Sequence, residues 1–190
     1  WSPDGKRIAS GSDDKTVQVW DAAAGGNVYI YKDHSDVVDS VAWSPDGKRI
    51  ASGSMKDGAG QDATNGSNIY TYHGHSNEVQ SVAWSPDSSH IASGSWDNTV
   101  QVWDADNGSN VYIYHGHSRS VESVVWSPDG KRIASGSDDK TVQVWNATDG
   151  SNVYIYKGHS DVVDSVAWSP DGKRIASSSW DKTAQVWEAS

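Results

Sequence analysis

Among its 190 residues the chain has no cysteine and no phenylalanine. Without thiols, disulfides, cysteine nucleophiles and Cys-ligated zinc sites are all excluded. Cations are scarce, with 15 Lys and Arg against 25 Asp and Glu and a formal charge of −10. Because phosphate contacts need clustered cations, that balance argues against nonspecific nucleic-acid binding. No stretch approaches the roughly 20 apolar residues of a membrane-spanning helix, and no signal-peptide pattern opens the chain. No window of helix length repeats its apolar residues at helical spacing. The absence of cysteine suits a reducing compartment, so a cytoplasmic location is expected, with neither a membrane nor a nucleic acid as partner.

Tryptophan is abundant instead, at eleven residues. A Trp precedes each Ser-Pro motif at Trp1, Trp43, Trp84, Trp126 and Trp168, at steps of 42, 41, 42 and 42 residues. The unit from Gly74 to His115 reads as four short extended runs. Val79 to Trp84 mixes apolar and polar residues, and a Ser-Pro-Asp turn follows. Ile91 to Ser95 is the second run, the β-branched Thr99 to Trp103 the third, and Val111 to Tyr114 the fourth. Runs of this length, rich in β-branched and aromatic residues and bounded by turn formers, predict strands, here called a, b, c and d. The outer run carries Val and Ile on one face and two Tyr on the other. A lone sheet would leave one of those faces wet, whereas a sheet stacked between sheets buries both. The fold class is therefore all-β.

A period near forty, with Gly-His opening and Trp-Asp closing each unit, is the signature of a propeller array. On these residues the chain resembles the WD-repeat (tryptophan–aspartate repeat) β-propeller family over essentially its whole length. The resemblance implies a partial β-propeller arc of about five four-stranded antiparallel blades, the first and last incomplete. The expected blades span 1–32, 33–73, 74–115, 116–157 and 158–190. Residues 1–20 and 126–145 are the same string, as are 34–52 and 159–177. The chain begins and ends inside a unit, so a fragment of a longer array is expected.

The second unit departs from the pattern. Where others read Asp-Asp-Lys-Thr-Val-Gln-Val-Trp, it reads Met-Lys-Asp-Gly-Ala-Gly-Gln over residues 55–61, one residue shorter and without a Trp. Its strand c reads as degenerate, and residues 55–67 are expected to be irregular.

In the resembled family, the His after Gly, a strand-b Ser, the b–c turn Asp and the strand-c Trp form a hydrogen-bonded tetrad. These map onto His75, Ser93, Asp97 and Trp103; onto His117, Ser135, Asp139 and Trp145; and onto His159, Ser177, Asp181 and Trp187. A buried Asp is costly unless paired, which such a chain of donors supplies. Ser, His and Asp also invite a hydrolase reading. A set recurring once per unit is a structural clasp, because catalysis needs one exposed nucleophile beside an oxyanion hole. No catalytic residue is expected. Each Ser-Pro-Asp turn offers a single carboxylate where calcium needs several oxygens from one loop, so no metal and no cofactor is expected either.

Antiparallel alternation places the b–c and d–a turns on one rim. There, just before the clasp Asp, the units vary as Asp13, Trp96, Asp138 and Trp180, with Glu78 and Arg119 nearby. Variation on a repeated frame marks this rim as the candidate partner-binding face. Along strand a, Asp39, Gln80, Glu122 and Asp164 read as the lining of a polar channel. The resemblance implies a non-enzymatic protein-interaction scaffold. The rim's aromatics and negative charge imply a protein or peptide with a basic stretch. Open blade faces at the two ends predict self-association. A carbohydrate-binding propeller and a degraded, non-functional repeat fragment are the alternatives.

Overall fold

A computed structural model describes residues 1–55 and 57–189. Its strands form five antiparallel sheets, each built in chain order. The first holds β1 (Arg7–Gly11), β2 (Val17–Asp21) and β3 (Asn27–Tyr31). The second holds β4 (Val38–Trp43), β5 (Arg49–Ser54), β6 (Asp57–Asp62) and β7 (Asn68–Tyr72). The third comprises β8 (Val79–Trp84), β9 (His90–Ser95), β10 (Val100–Asp104) and β11 (Asn110–Tyr114). In the fourth lie β12 (Val121–Trp126), β13 (Arg132–Ser137), β14 (Val142–Asn146) and β15 (Tyr154–Tyr156). The fifth has β16 (Val163–Trp168), β17 (Arg174–Ser179) and β18 (Ala184–Glu188). None of the sheets closes on itself, and the first and last have three strands each. The result is an open arc of propeller blades, incomplete at both ends.

The first strands of successive sheets pack side by side, β4 against β8, β8 against β12 and β12 against β16. Their serines tie the sheets together. Ser40, Ser81 and Ser123 each accept the backbone N–H of Val82, Val124 and Val166 respectively, at 3.1–3.2 Å. Apolar residues of two sheets make each core. Ala51 and Tyr72 of the second sheet, for example, cluster with Val79, Val82, Trp84, Ile91 and Trp103 of the third.

Aromatic stacking fixes the outer half of the interface. Trp103 lies over Tyr72 of the preceding sheet at 4.9 Å, Trp145 over Tyr114 at 4.4 Å and Trp187 over Tyr156 at 4.4 Å. Each of these tyrosines also donates its hydroxyl proton to a strand-c glutamine of the same next sheet, Gln101, Gln143 or Gln185, at 2.5–2.6 Å. Such a pair combines buried area with a satisfied polar tip.

The second unit corrects the sequence reading. Residues 57–62 are not irregular: β6 pairs with β5 from Arg49↔Asp62 to Ser54↔Asp57 and with β7 from Gly58↔Tyr72 to Gln61↔Asn68. Lys56 lies outside the described residues, as does Ser190. From Gly58 onward the strand holds the common register. Ile50 faces Gln61 as Ile91 faces Trp103. Ladder bonds come from the backbone, and flanking strands in normal register template them whatever the intervening side chains. Gln61 stands in for the missing Trp. It is buried and its Nε2–H donates to Ser52 Oγ at 2.6 Å, while its Oε1 has no hydrogen-bond partner among the described residues. The small side chains have a use as well, since a Cβ on Gly58 would meet the Trp103 ring at 3.1 Å.

Gly60 is different, because a Cβ there would meet only backbone oxygens at 3.9–4.0 Å. Gly60→Ala is therefore expected to stabilise the fold by about 0.5–1 kcal/mol through the lost entropy of a strand glycine. Chemical denaturation checks it. An unchanged or lowered midpoint would show that β6 is not held as described.

Candidate functional site

The rim carrying the b–c turns is held by the Asp–His–Ser arrangement at its base. Asp97 Oδ1 accepts the N–H and hydroxyl of Thr99 at 2.9 and 2.6 Å. Its Oδ2 accepts the Ser76 N–H at 3.0 Å and the His75 Nδ1–H at 2.9 Å. His75 Nε2 then accepts the Ser93 hydroxyl at 2.7 Å, and Ser93 Oγ accepts the Trp103 Nε1–H at 3.2 Å. One direction of donation runs through the whole chain, from indole to carboxylate, which sets the histidine tautomer. His159, Ser177, Asp181 and Trp187 repeat it at 2.8, 2.8 and 3.3 Å.

The fourth unit departs in one bond. His117 reaches Asp139 and Ser135 at 2.8 Å, but Trp145 Nε1 has no partner among the described residues. Its ring is positioned by the Tyr114 stack and by Tyr112 at 6.1 Å, so the tetrad there is a triad plus a stacked indole. The clasp serines are wholly buried or nearly so, which leaves no exposed nucleophile among them. Among the described residues no group of three or more His, Asp or Glu is placed to hold a metal ion.

Above the clasps, turn chemistry presents the variable position. Asn98, Lys140 and Lys182 take left-handed φ of 70–72°, closing each turn just after the clasp Asp. The residue before that Asp is pushed outward, leaving Trp96 42% and Trp180 66% exposed. The structure brings both into one cleft of about 380 Å³, with Asp138 of the intervening turn, Ser120, Val162, Glu122 and Asp164. Trp96 Nε1–H points across it to Glu122 Oε2 at 3.4 Å. Arg119 lies at the edge, paired with Asp138 at 3.2 Å. Asp13 and Glu78 do not join this cleft. Glu78 borders a smaller gap with Asp36, Val37, Asp39 and Met55, and the Asp13 charge acts on Asp39.

Glu122 and Asp164 line the cleft, a role that alternation along strand a did not reveal. Each sits at a register shift, between Val121 and Ser123 and between Val163 and Ser165. A bulge of this kind re-aims one side chain out of the pleat. Burial, with the charges of Asp138 and Asp164, raises the Glu122 pKa, partly opposed by the Trp96 hydrogen bond. Three carboxylates and two indoles thus share one recess, and a cation entering it would relieve their mutual repulsion.

The clasps make stability depend on pH. Burial works to raise the Asp97 and Asp139 carboxyls, yet hydrogen bonds from histidine and threonine outweigh it and hold both below the ordinary range. Their stabilisation is complete above the unfolded value of 3.8 and is lost as pH falls below it. His34, bonded to Ser52 at 2.6 Å, behaves differently. Asp57, the nearest carboxylate in its own unit's b–c segment, pairs instead with His73 at 2.6 Å. Burial therefore lowers the His34 pKa below 6.5, against smaller opposing effects of Asp57 and Asp33. A histidine buried neutral stabilises fully above its unfolded value and progressively less as pH falls below it. The melting-temperature difference between the native chain and His34→Gln is expected to be constant above about pH 7 and to shrink between about pH 6.5 and 5. A difference independent of pH would contradict this assignment.

Comparison with known families agrees with this geometry. The model of the WD40 family, described as WD domain, G-beta repeat, matches residues 1–21, 25–59, 66–104, 108–146 and 150–188. No curated protein matches the chain. Five consecutive repeat matches cover well over half of the residues, and each after the first runs from the outer strand of one sheet into the third strand of the next: the chain belongs to the WD40 family of G-beta repeats.

Proposed function

We propose that the chain is a non-enzymatic scaffold whose partner, a protein or peptide with a basic stretch, binds across the cleft between Trp96 and Trp180. WD40 repeats generally serve as protein-interaction scaffolds. The observation that carries the finer reading is the meeting of two exposed indoles with Glu122, Asp138 and Asp164 in one recess. Aromatic anchors supply much of the energy at interface hot spots, while complementary charge sets the approach rate. The clasp hydrogen bonds hold the turns of this face from below, which favours binding with little loss of order. A cysteine-free chain of this kind suits the cytoplasm. Self-association belongs to the same proposal: β18 has an unpaired edge and Val186 is 67% exposed, a surface a second copy can cover. Light scattering reads it as a mass above that of one chain.

Exposed tryptophans also favour carbohydrate as a second reading, and a glycan array separates it from peptide binding. A peptide-display selection on the intact chain tests the main one. Enriched sequences are expected to carry Lys or Arg and to bind more weakly as salt rises. Trp96→Ala and Trp180→Ala are each expected to weaken them by roughly 30-fold, about 2 kcal/mol, with little change in melting temperature. Normal binding by variants that melt early would make these indoles packing residues and overturn the proposal.

A further inference from the structure

The opposite rim, where strands a and b turn, holds a second site that rests on different residues. Three arginines there act as staples between sheets. Arg7 lies over the Trp43 ring at 4.9 Å, Arg49 over Trp84 at 4.8 Å and Arg132 over Trp168 at 4.7 Å. In every case the Trp belongs to the following sheet. The guanidinium edges then donate to main-chain carbonyls of that same sheet. Arg7 reaches the Ala63 oxygen, Arg49 the Ser88 oxygen with its other edge on the Asp106 carboxylate, and Arg132 both the Ala189 and Gly172 oxygens. A stacked face with two N–H edges engaged is what a planar guanidinium supplies and an ammonium does not.

The third unit breaks this series. Its turn reads Ser-Pro-Asp-Ser-Ser-His where the others read Ser-Pro-Asp-Gly-Lys-Arg, so His90 stands in the arginine place. The His90 imidazole turns back to Ser89 Oγ at 2.7 Å. Among the described residues no cation lies over Trp126, and neither the Gly130 nor the Ala147 carbonyl, counterparts of the two that Arg132 engages, receives a hydrogen bond. The indole is nonetheless fixed, its Nε1–H donating to the Ala83 oxygen at 3.1 Å. What remains is a cleft of about 330 Å³ between the third and fourth sheets. Trp126, Gly130 and Ala147 form one wall and His90 and Asp87 the other, with Asp129 at the edge. Hydrogen bonds from serine hydroxyls hold both Asp87 and Asp129 below the ordinary carboxylate range, so both are anionic at neutral pH.

We propose that this cleft is a receptor for a single arginine side chain of a partner protein, its guanidinium stacked on Trp126 and donating to the Gly130 and Ala147 carbonyls. The chain itself shows the stack three times with its own arginines as the occupants, and Arg132 shows the stack together with both carbonyl bonds. Lysine offers the charge without the plane or the paired edges. Citrulline offers a similar planar shape without the charge. The site therefore discriminates by both features. The neighbouring acidic groups favour a cation but do not choose between the two.

Titration of the intact chain with N-acetylarginine amide, read by the Trp126 indole N–H resonance, tests the proposal. A saturable shift with Kd on the order of 1–10 mM is expected, at least several-fold tighter than for the lysine amide and absent for the citrulline amide. His90→Arg should abolish the response and raise the melting temperature, because the staple is then supplied within the chain. His90→Ala leaves the cleft open and should retain the response. The absence of a saturable shift, equal binding of citrulline, an undiminished response in His90→Arg, or a shift confined to Trp96 and Trp180 would each overturn it.

Discussion

A sheet with apolar side chains on both faces cannot stand in water alone. In this chain the stack of a strand-c tryptophan on the outer tyrosine of the preceding sheet resolves that constraint. Trp103, Trp145 and Trp187 each close an interface, and a tyrosine-to-glutamine hydrogen bond beside each stack removes the polar cost of burying the phenol. Stability in such an array is a chain of nearest-neighbour terms, so one interface affects the sheets on either side of it. The inner serine bonds add to all three of these interfaces, and the arginine staples to two of them. The clasp histidines also pack edge-on against the same tyrosines, at 6.2–6.4 Å, so the rim and the core share one anchor.

Repetition of this frame makes the unrepeated positions informative. Trp96 and Trp180 interrupt a series of aspartates, and His90 interrupts a series of arginines. In both places the frame holds the strands still while turn side chains change, which leaves a recess rather than a distortion. The second unit is the counter-example. Its changes fall in a buried strand, and the flanking ladders absorb them, with Gln61 keeping the bond to Ser52 that a tryptophan would otherwise make. A changed side chain therefore becomes a surface feature only where the ladder does not need it.

Much of this was legible in the sequence because its period reports the repeated frame directly. Strand class, sheet number and the missing strands at each end follow from Trp spacing and from β-branched runs such as Thr99 to Trp103. Three features were not legible, each for a physical reason. Strand β6 was read as irregular because propensity measures side chains, whereas two correctly placed neighbours fix a backbone. Glu122 and Asp164 read as channel residues, since the adjacent polar pairs Glu122-Ser123 and Asp164-Ser165 do not say which member the register shift turns outward. The loss of an arginine at His90 is visible as a letter. Its meaning appears only when Arg49 and Arg132 show which ring and which carbonyls that position serves.

The first and fifth sheets make a natural comparison, since both have three strands and one open side. The fifth keeps its stack, Trp187 on Tyr156, whereas among the described residues Tyr31 of the first stacks on no tryptophan, lying edge-on to His34 at 5.3 Å within a cluster of aliphatic residues. Native-state hydrogen exchange resolved by strand compares them directly. If the stack is what holds neighbouring sheets together, the amides of β17 must open with a higher free energy than those of β1 and β2, by about 0.5–1.5 kcal/mol. Equal protection of the two sheets, or greater protection of the first, would show that the inner strands carry the array and that the aromatic stack is incidental.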